Sequence, residues 1–472
     1  MKPKILFFFC FIIFSLKAEI ALPDFFGDNM VLQQNSTIKL WGTAKPKTIV
    51  YIKTSWSNKT LECFSEIDGE WEISLKTSEA SFKKQFIHIS DGSELKIQNI
   101  LIGEVWFCSG QSNMEMNFQG FKNEPLAEAS YYINKASEES GIRMLNVKKT
   151  VKLEKNSKGR GKWQVSSVQN IPAFSAAAYF FAISLQRKIN VPVGIINSSF
   201  GGSCIEGWLN PNYVEKYSDF DFKAGISDSM SWRRPYVMFE NMLKPYHKYV
   251  IKGFIWYQGE SNVNRYSSYS EKLQDLVYLW RETFNDSSLP FYVVEIAPYK
   301  YSEGNKAAKL REAQFKAVKA LNKSGFVCTN DLVLNSEFTN IHPSQKKEIG
   351  QRLANLALLN DYHFDSLQSF SPCIENSFFF KDSIILTFEN CYNGLLISND
   401  NFEGFEVADS SMIFQKTSAF LAADKKAIII LNKDKNFIPV SVRYCFKDFQ
   451  IGNVKNSVGL PLIPFRTDNW DN

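Results

Sequence analysis

The sequence predicts an α/β protein, a parallel sheet with helical crossovers flanked by an all-β segment at each end. Three observations predict it. Between about residues 101 and 365, short apolar runs alternate with helical stretches, the pattern of strands joined by crossover helices. On either side, short alternating runs are broken by Gly, Asn, Pro and Ser with little helical periodicity. At 472 residues the chain also exceeds the size at which a single core stops growing. The expected divisions are a leader at 1–18, a β domain at 19–100, an α/β domain at 101–365 and a second β domain at 366–472.

The leader comes first. Lys2 and Lys4 precede an apolar run from Ile5 to Leu16, and Leu16-Lys17-Ala18 is a small-residue ending suited to signal peptidase. The run is short of the roughly 20 residues that a membrane span needs. Cleavage after Ala18 and export, to the periplasm or the medium, are expected, with no membrane attachment afterwards. Removing Lys2, Lys4 and Lys17 takes the formal charge from +5 to +2. No dense basic run remains, which argues against nucleic acid as a partner. A composition 44% hydrophobic and 15% aromatic fits packed cores and excludes a disordered chain.

Cys10 lies in the leader. The seven remaining cysteines, Cys63, Cys108, Cys204, Cys328, Cys373, Cys391 and Cys445, are widely spaced and odd in number. That is not a disulfide framework, although one pair among Cys373, Cys391 and Cys445 is open. No CxxC or HExxH motif occurs, so no metal has sequence support.

In the first β segment, TIKLWG, TIVYIKT and QFIHIS read as strands. In the middle, EVWFCSG, VPVGIINSSF, YVIKGFIWYQG, LPFYVVEIAP and GFVCTND read as buried strands, each running into small or polar residues. AFSAAAYFFAISLQRK, YSEKLQDLVYLWRETF and AAKLREAQFKAVKALN supply helices between them. HPSQKKEIGQRLANLALL closes the region as a further helix with Pro343 near its first turn. SFFF, SIILTF, AIIILN and VSVRYCF then return to short strands.

Ligands of a doubly wound sheet bind beyond the carboxyl ends of its strands. Four polar groups fall there: Gly110-Gln111-Ser112-Asn113, Gly201-Gly202-Ser203, Gln258-Gly259-Glu260-Ser261 and Asn340-Ile341-His342-Pro343. Ester hydrolysis needs a nucleophile, a base and donors aimed at the oxyanion. Ser112 can supply the first, and the backbone N–H groups of Ser112 and Gly202 with the Gln258 amide can supply the donors. The chain has four histidines. His88 lies in the first β segment, His247 before a strand and His363 beyond the closing helix. His342 alone follows the last parallel strand, where a loop can return it to Ser112. Taken singly, each group also has a plain structural reading as a turn, strand end or helix start. Their concentration at the strand ends of one region is what points to chemistry.

EVWFCSGQSNMEM, FGGSCIEGW, IKGFIWYQGESN, LREAQ and NIHPSQKKEIGQRLA together resemble the sialate O-acetylesterase family of the SGNH (GDSL-like) hydrolases. LPDFFGDNMVLQQ at 22–34 and GLPLIPFRTDNW at 459–470 extend the resemblance to both ends. It implies a flavodoxin-like three-layer α/β/α SGNH hydrolase domain flanked by N- and C-terminal β segments. It further implies Ser112 as nucleophile, His342 as base, and an oxyanion hole from Ser112, Gly202 and Gln258. No cofactor is implied. The substrate implied is an O-acetylated carbohydrate, foremost an O-acetylated sialic acid. An acetylated xylan or other plant glycan is the alternative, and a non-catalytic glycan-binding protein the contrasting class.

One position departs from the family pattern. An aspartate usually stands three residues before the histidine, and here Thr339 does, followed by Asn340. Glu337 and Asp331 are the nearest upstream carboxylates. Glu337 is favoured as third member for its reach and proximity, with Asp331 or a backbone carbonyl open. Glu206 and Glu260 are candidates to orient Gln258 or bind sugar hydroxyls. Arg311 reads as a helix-face ion-pair partner. Trp106, Trp208 and Trp256 read as core, and Trp208, just after the glycine turn, is the best candidate platform for a sugar. The oligomeric state is left open.

Overall fold

A computed structural model of the chain describes residues 20–138, 141–150, 152–154, 157–221, 223, 230–301, 304–397, 401–432, 434 and 436–470. The expected leader at 1–18, with Cys10, lies outside them. Among the described residues, no helix is long and apolar enough to cross a membrane.

The central element is a 17-residue strand, Glu94–Gly110. Its first half pairs antiparallel with Ser81–Ser90 and parallel with Val31–Gln33. Its second half is the middle of the site-bearing sheet. The order there is Ser324–Val327, Phe291–Val294, Gly253–Tyr257, Glu94–Gly110, Val193–Ser199, Ile142–Asn146 and Trp163–Val165. All these pairings are parallel except the last. The result is a mixed sheet in which one strand belongs both to the N-terminal β segment and to the α/β region. The division drawn at 100/101 falls inside that strand.

The apolar run EVWFCSG is continuous because both faces of the strand are covered. Val105 and Phe107 enter one core with Leu276 and Trp280 of the helix Tyr269–Thr283 and Leu310 of the helix Lys306–Ala320. Trp106 and Cys108 enter the other with Ala177 and Phe181 of the helix Ala176–Ile189 and Leu353 of the helix Lys347–Asp361. Ser175 caps the first turn of Ala176–Ile189, its hydroxyl accepting from Ala178 N–H. The expected strands and helices of this region are present. Ile142–Asn146, only five residues long and interrupted by the buried Arg143, is a strand that its sequence pattern does not announce. The closing helix begins at Lys347, so Pro343 belongs to the preceding loop and not to the first turn.

The C-terminal segment forms small antiparallel sheets around a separate core that includes Ile384, Leu386, Phe405 and Tyr444. Arg311 is an ion-pair partner as expected, 4.0 Å from Glu295 Oε1, but it lies in the interior. It is 2% exposed and donates to the carbonyls of Lys447 at 2.6 Å and Asp448 at 3.4 Å. Asp448 in turn accepts from Ala307 N–H at the start of the same helix. This reciprocal clamp docks the C-terminal sheets against the α/β region. The seven described cysteines are all free thiols, so none of Cys373, Cys391 and Cys445 is paired. Cys373 and Cys391 instead donate to Glu389 and to the Phe388 carbonyl.

Candidate active site

Gly110 is in register with Ser199 on one side and Tyr257 on the other, so three neighbouring strands end side by side. The peptides that follow them emerge together: Gln111-Ser112, Gly201-Gly202 and Gln258-Gly259-Glu260. Backbone bonds fasten this rim, from Gln111 N–H to Tyr257 O at 3.0 Å and from Phe200 N–H to Gly110 O at 3.0 Å. Gly110 has φ +144°, and a Cβ there would sit 2.1 Å from Tyr257 O, so only glycine lets the chain turn here. The short helix Ser112–Glu115 follows at once.

The loop from the last parallel strand returns His342 to this rim. His342 Nε2 lies 2.8 Å from Ser112 Oγ, and Nδ1 lies 2.7 Å from Glu124 Oε2. Nucleophile, imidazole and carboxylate are therefore in hydrogen-bond contact in the order a catalytic triad requires. Glu124 comes from a small turn closed by the reciprocal Phe121 and Glu124 backbone bonds, each 3.0 Å. The Phe121 ring of the same turn packs 4.7 Å from the imidazole. One turn thus delivers both a carboxylate to Nδ1 and an aromatic face to the ring.

Glu337 is not the third member. Its carboxylate accepts from Leu334 N–H and Ser344 N–H, each at 3.0 Å, bracing the loop that carries His342. Asp331 is taken by Arg352 in a bidentate pair at 2.8 Å and by Lys455 at 2.9 Å. Glu124 precedes Pro125 in a polar loop ten to fifteen residues beyond the serine motif, and no periodicity or motif marks it. The expectation failed because it looked near His342 along the chain, whereas the carboxylate arrives from the Ser112 side.

Among the described residues, neither Ser112 N–H nor Gly202 N–H has a hydrogen-bond acceptor. Gly202 adopts φ +77°. Both donors are available to a developing negative charge. Gln258 is not. Its side chain is fully buried and its two amide hydrogens go to Ser203 O at 3.0 Å and Asn262 Oδ1 at 2.9 Å. Tyr269 donates to its Oε1 at 2.7 Å. With every polar atom engaged, Gln258 fixes the rim from beneath and has no donor to spare for an oxyanion.

The three residues expected to touch substrate are also buried. Glu206 is fully buried and held by Lys272 at 2.8 Å, Arg265 at 3.2 Å and Asn262 at 2.9 Å. Burial alone would raise its pKa, but the Arg265 and Lys272 charges outweigh that and hold it at about 2. Trp208 is fully buried, donates to Ser203 Oγ at 3.0 Å and packs against Trp256 and Trp280. It is core, like Trp106 and Trp256.

Glu260 faces inward too, and accepts from Asn113 Nδ2. Asn113 also donates to the Ile341 carbonyl at 3.0 Å and accepts from Lys346 Nζ at 2.9 Å. Asn113 follows Ser112 and Ile341 precedes His342, so one amide ties the turn of Ser112 to the loop of His342. Lys346 is fully buried, and burial drives its pKa down to about 7 against the opposing pull of Glu260, Glu337 and Glu124. Burial likewise raises Glu260, offset by its own backbone, Asn113, His342 and Lys346. Among the described residues no group of His, Cys, Asp and Glu is arranged to hold a metal ion.

The family model for carbohydrate esterases described as sialic acid-specific acetylesterases matches residues 102–359. The chain is 28% identical over 288 residues to the sialate O-acetylesterase of Pongo abelii, covering 55% of this chain and 53% of that protein. The sialate O-acetylesterase of Homo sapiens gives the same identity, length and coverage. The chain thus spans about half the length of these curated relatives. A carbohydrate acetylesterase from Xanthomonas citri superposes with a TM-score of 0.85 at 27% identity, covering 96% of this chain and 100% of that one.

Proposed function

Because the chain belongs to the carbohydrate esterase family of sialic acid-specific acetylesterases, we propose that it is a serine esterase that removes O-acetyl groups from sugars, foremost O-acetylated sialic acids. The observation that carries this reading is the continuous contact Ser112 Oγ, His342 Nε2, His342 Nδ1 and Glu124 Oε2 at the rim of the sheet.

His342 takes the Ser112 proton as Oγ attacks the acetyl carbonyl. Glu124 accepts a hydrogen bond from Nδ1–H, stays ionised and stabilises the imidazolium that forms. The N–H groups of Ser112 and Gly202 hold the tetrahedral oxyanion. His342 then protonates the departing sugar oxygen, leaving an acetyl-enzyme. Water, deprotonated by the same imidazole, attacks it and releases acetate. The same reading takes the two-faced sheet as the flavodoxin-like three-layer sandwich of SGNH hydrolases, and residues 1–18 as a leader directing export.

The alternative substrate is acetylated xylan or another plant glycan; the Xanthomonas citri structure, a carbohydrate acetylesterase that matches nearly the whole chain, supports a carbohydrate ester without naming the sugar. Acetate release from a 9-O-acetylated sialoside and from an acetylated xylo-oligosaccharide separates the two. Each assay runs with wild type and Ser112→Ala, and the serine variant is expected to lose about 10⁴–10⁶-fold in kcat. Release from the sialoside alone supports the first reading, and release from the xylo-oligosaccharide alone replaces it with the second. A Ser112→Ala protein as fast as wild type would remove the serine mechanism altogether.

A further inference from the structure

We propose that Trp232 is the platform on which the sugar ring of the substrate stacks, placing the acetyl group at Ser112. This rests on the esterase reading and adds to it the residue that grips the sugar.

Trp232 lies in the short 3-10 turn Ser231–Arg233, and its side chain reaches the glycine turn at the rim. A Cβ built on Gly202 would lie 2.9 Å from Trp232 Cδ1 and 3.1 Å from Nε1, so the pyrrole edge of the indole rests directly on this glycine. A Cβ built on the adjacent Gly201 would lie 3.6 Å from Ser112 Cβ. The indole thus sits against one glycine of the turn, and Ser112 lies beside the next. A single sugar residue can therefore lie on the indole and still present an ester to Ser112. The missing side chain at Gly202 lets the indole close on the turn.

Exposure separates this tryptophan from those packed beneath the site. Trp106, Trp208, Trp256 and Trp280 are 0% exposed and belong to the packed interior, whereas Trp232 is 37% exposed. A large aromatic left in water beside a reactive serine gives up burial that the core tryptophans enjoy. A pyranose offers what would recover it, an apolar face of C–H bonds that covers the negative face of an aromatic ring. Its rim of hydroxyls stays free for water. Phe121 lies at the imidazole, 4.7 Å from the His342 ring. Of these two aromatics near the reacting pair, Trp232 has the larger area and the exposure of a sugar platform.

The test compares wild type, Trp232→Ala and Trp232→Phe on two esters. One is the acetylated glycan that wild type turns over. The other is 4-nitrophenyl acetate, which has the same acetyl group and no sugar. Trp232→Ala is expected to raise KM for the glycan about tenfold more than for the aryl ester, since losing an aromatic stacking contact is worth about a factor of ten in binding. Trp232→Phe, which keeps an aromatic face, is expected to recover most of that difference. Binding of the glycan to Ser112→Ala and to the Ser112→Ala, Trp232→Ala double variant, by calorimetry, should show the same ratio without turnover. Equal effects on both esters would make Trp232 a structural residue, and no effect on either would make it a bystander. Both overturn the proposal while leaving the esterase reading intact. A wild type that hydrolyses neither ester would overturn the two together.

Discussion

Glu206 and Glu260 are both buried carboxylates beside the same strand ends, yet their surroundings push them in opposite directions. Glu206 meets two cations and an amide, and its charged form is held down to a pKa of about 2. Glu260 meets one amide donor, and its Oε2 has no hydrogen-bond partner among the described residues, so burial raises its pKa. The first is a closed ion-pair cluster that supports the sheet rim. The second is strung into a sparse chain, Glu260, Asn113 and Lys346, that ties Ser112's turn to His342's loop. Burial by itself does not separate scaffold from site, but the completeness of the polar partners does. A saturated cluster has one arrangement, whereas an under-partnered one is kept for the position it gives to its neighbours.

The comparison breaks most visibly on the site side. Glu124→Gln keeps the shape of the side chain but removes the charge that stabilises the imidazolium. It is expected to lower kcat by about 10²–10⁴-fold with the melting temperature nearly unchanged. Single-turnover kinetics beside a thermal scan would measure both, and a variant with wild-type kcat would return the question of the third member to the His342 loop.

On the scaffold side the loss should appear as stability. Glu206→Gln leaves Arg265 without its carboxylate partner and Lys272 with Asp219 alone, at 2.8 Å, and is expected to cost about 3 kcal/mol in urea unfolding. Because the folded pKa of Glu206 lies below its unfolded value, its contribution is complete above about pH 4.5 and is lost as pH falls toward 2. The gap between wild type and variant should close over that interval. A constant gap from pH 5 to pH 3 would mean that the Glu206 charge is not what matters.

Lys346 tests the sparse chain with the opposite sign. Its folded pKa of about 7 lies below the 10.5 of the exposed side chain, so between these values the unfolded chain holds more protons. Wild type should therefore gain stability relative to Lys346→Met as pH rises from 7 toward 10. The facing groups Glu260, Glu337 and Glu124 oppose the shift and set how steep the gain is. Denaturant midpoints at pH 7, 8.5 and 10 would measure it, and a falling difference would contradict the burial argument. The smallest effect belongs to Glu337→Gln. It weakens two charge-assisted bonds to backbone N–H groups, for a loss of about 1 kcal/mol, with kcat remaining close to wild type. A hundredfold loss of kcat would restore Glu337 to the machinery.

Periodicity and strand-end chemistry alone established the parallel core, its helices and the meeting of Ser112, Gly202 and His342. These features follow from local rules: apolar runs bury, strands end in polar turns, and a histidine placed after the last strand reaches back to the first. Gln258 and Trp208 were legible as important and illegible in role. A glutamine at a strand end can donate outward or inward, and only the packed surroundings, with Ser203, Asn262 and Tyr269 in place, decide that it points inward. Trp208 follows the glycine turn in the chain, but the indole on that turn in space is Trp232, from a segment some thirty residues later.

The sequence by itself determined the family, the α/β order of the central region and two of the three side chains, Ser112 and His342, that meet Glu124 in one hydrogen-bonded row. Tertiary structure alone decided that Glu124 and not Glu337 meets His342, that Glu206 is scaffold, and that one long strand joins the N-terminal β segment to the catalytic sheet. The reason is physical. Strand ends and helix faces are fixed by interactions a few residues apart, which leave a pattern in the chain. The choice of partner for a single carboxylate is fixed by loop closure between distant segments, and such closure leaves no local trace.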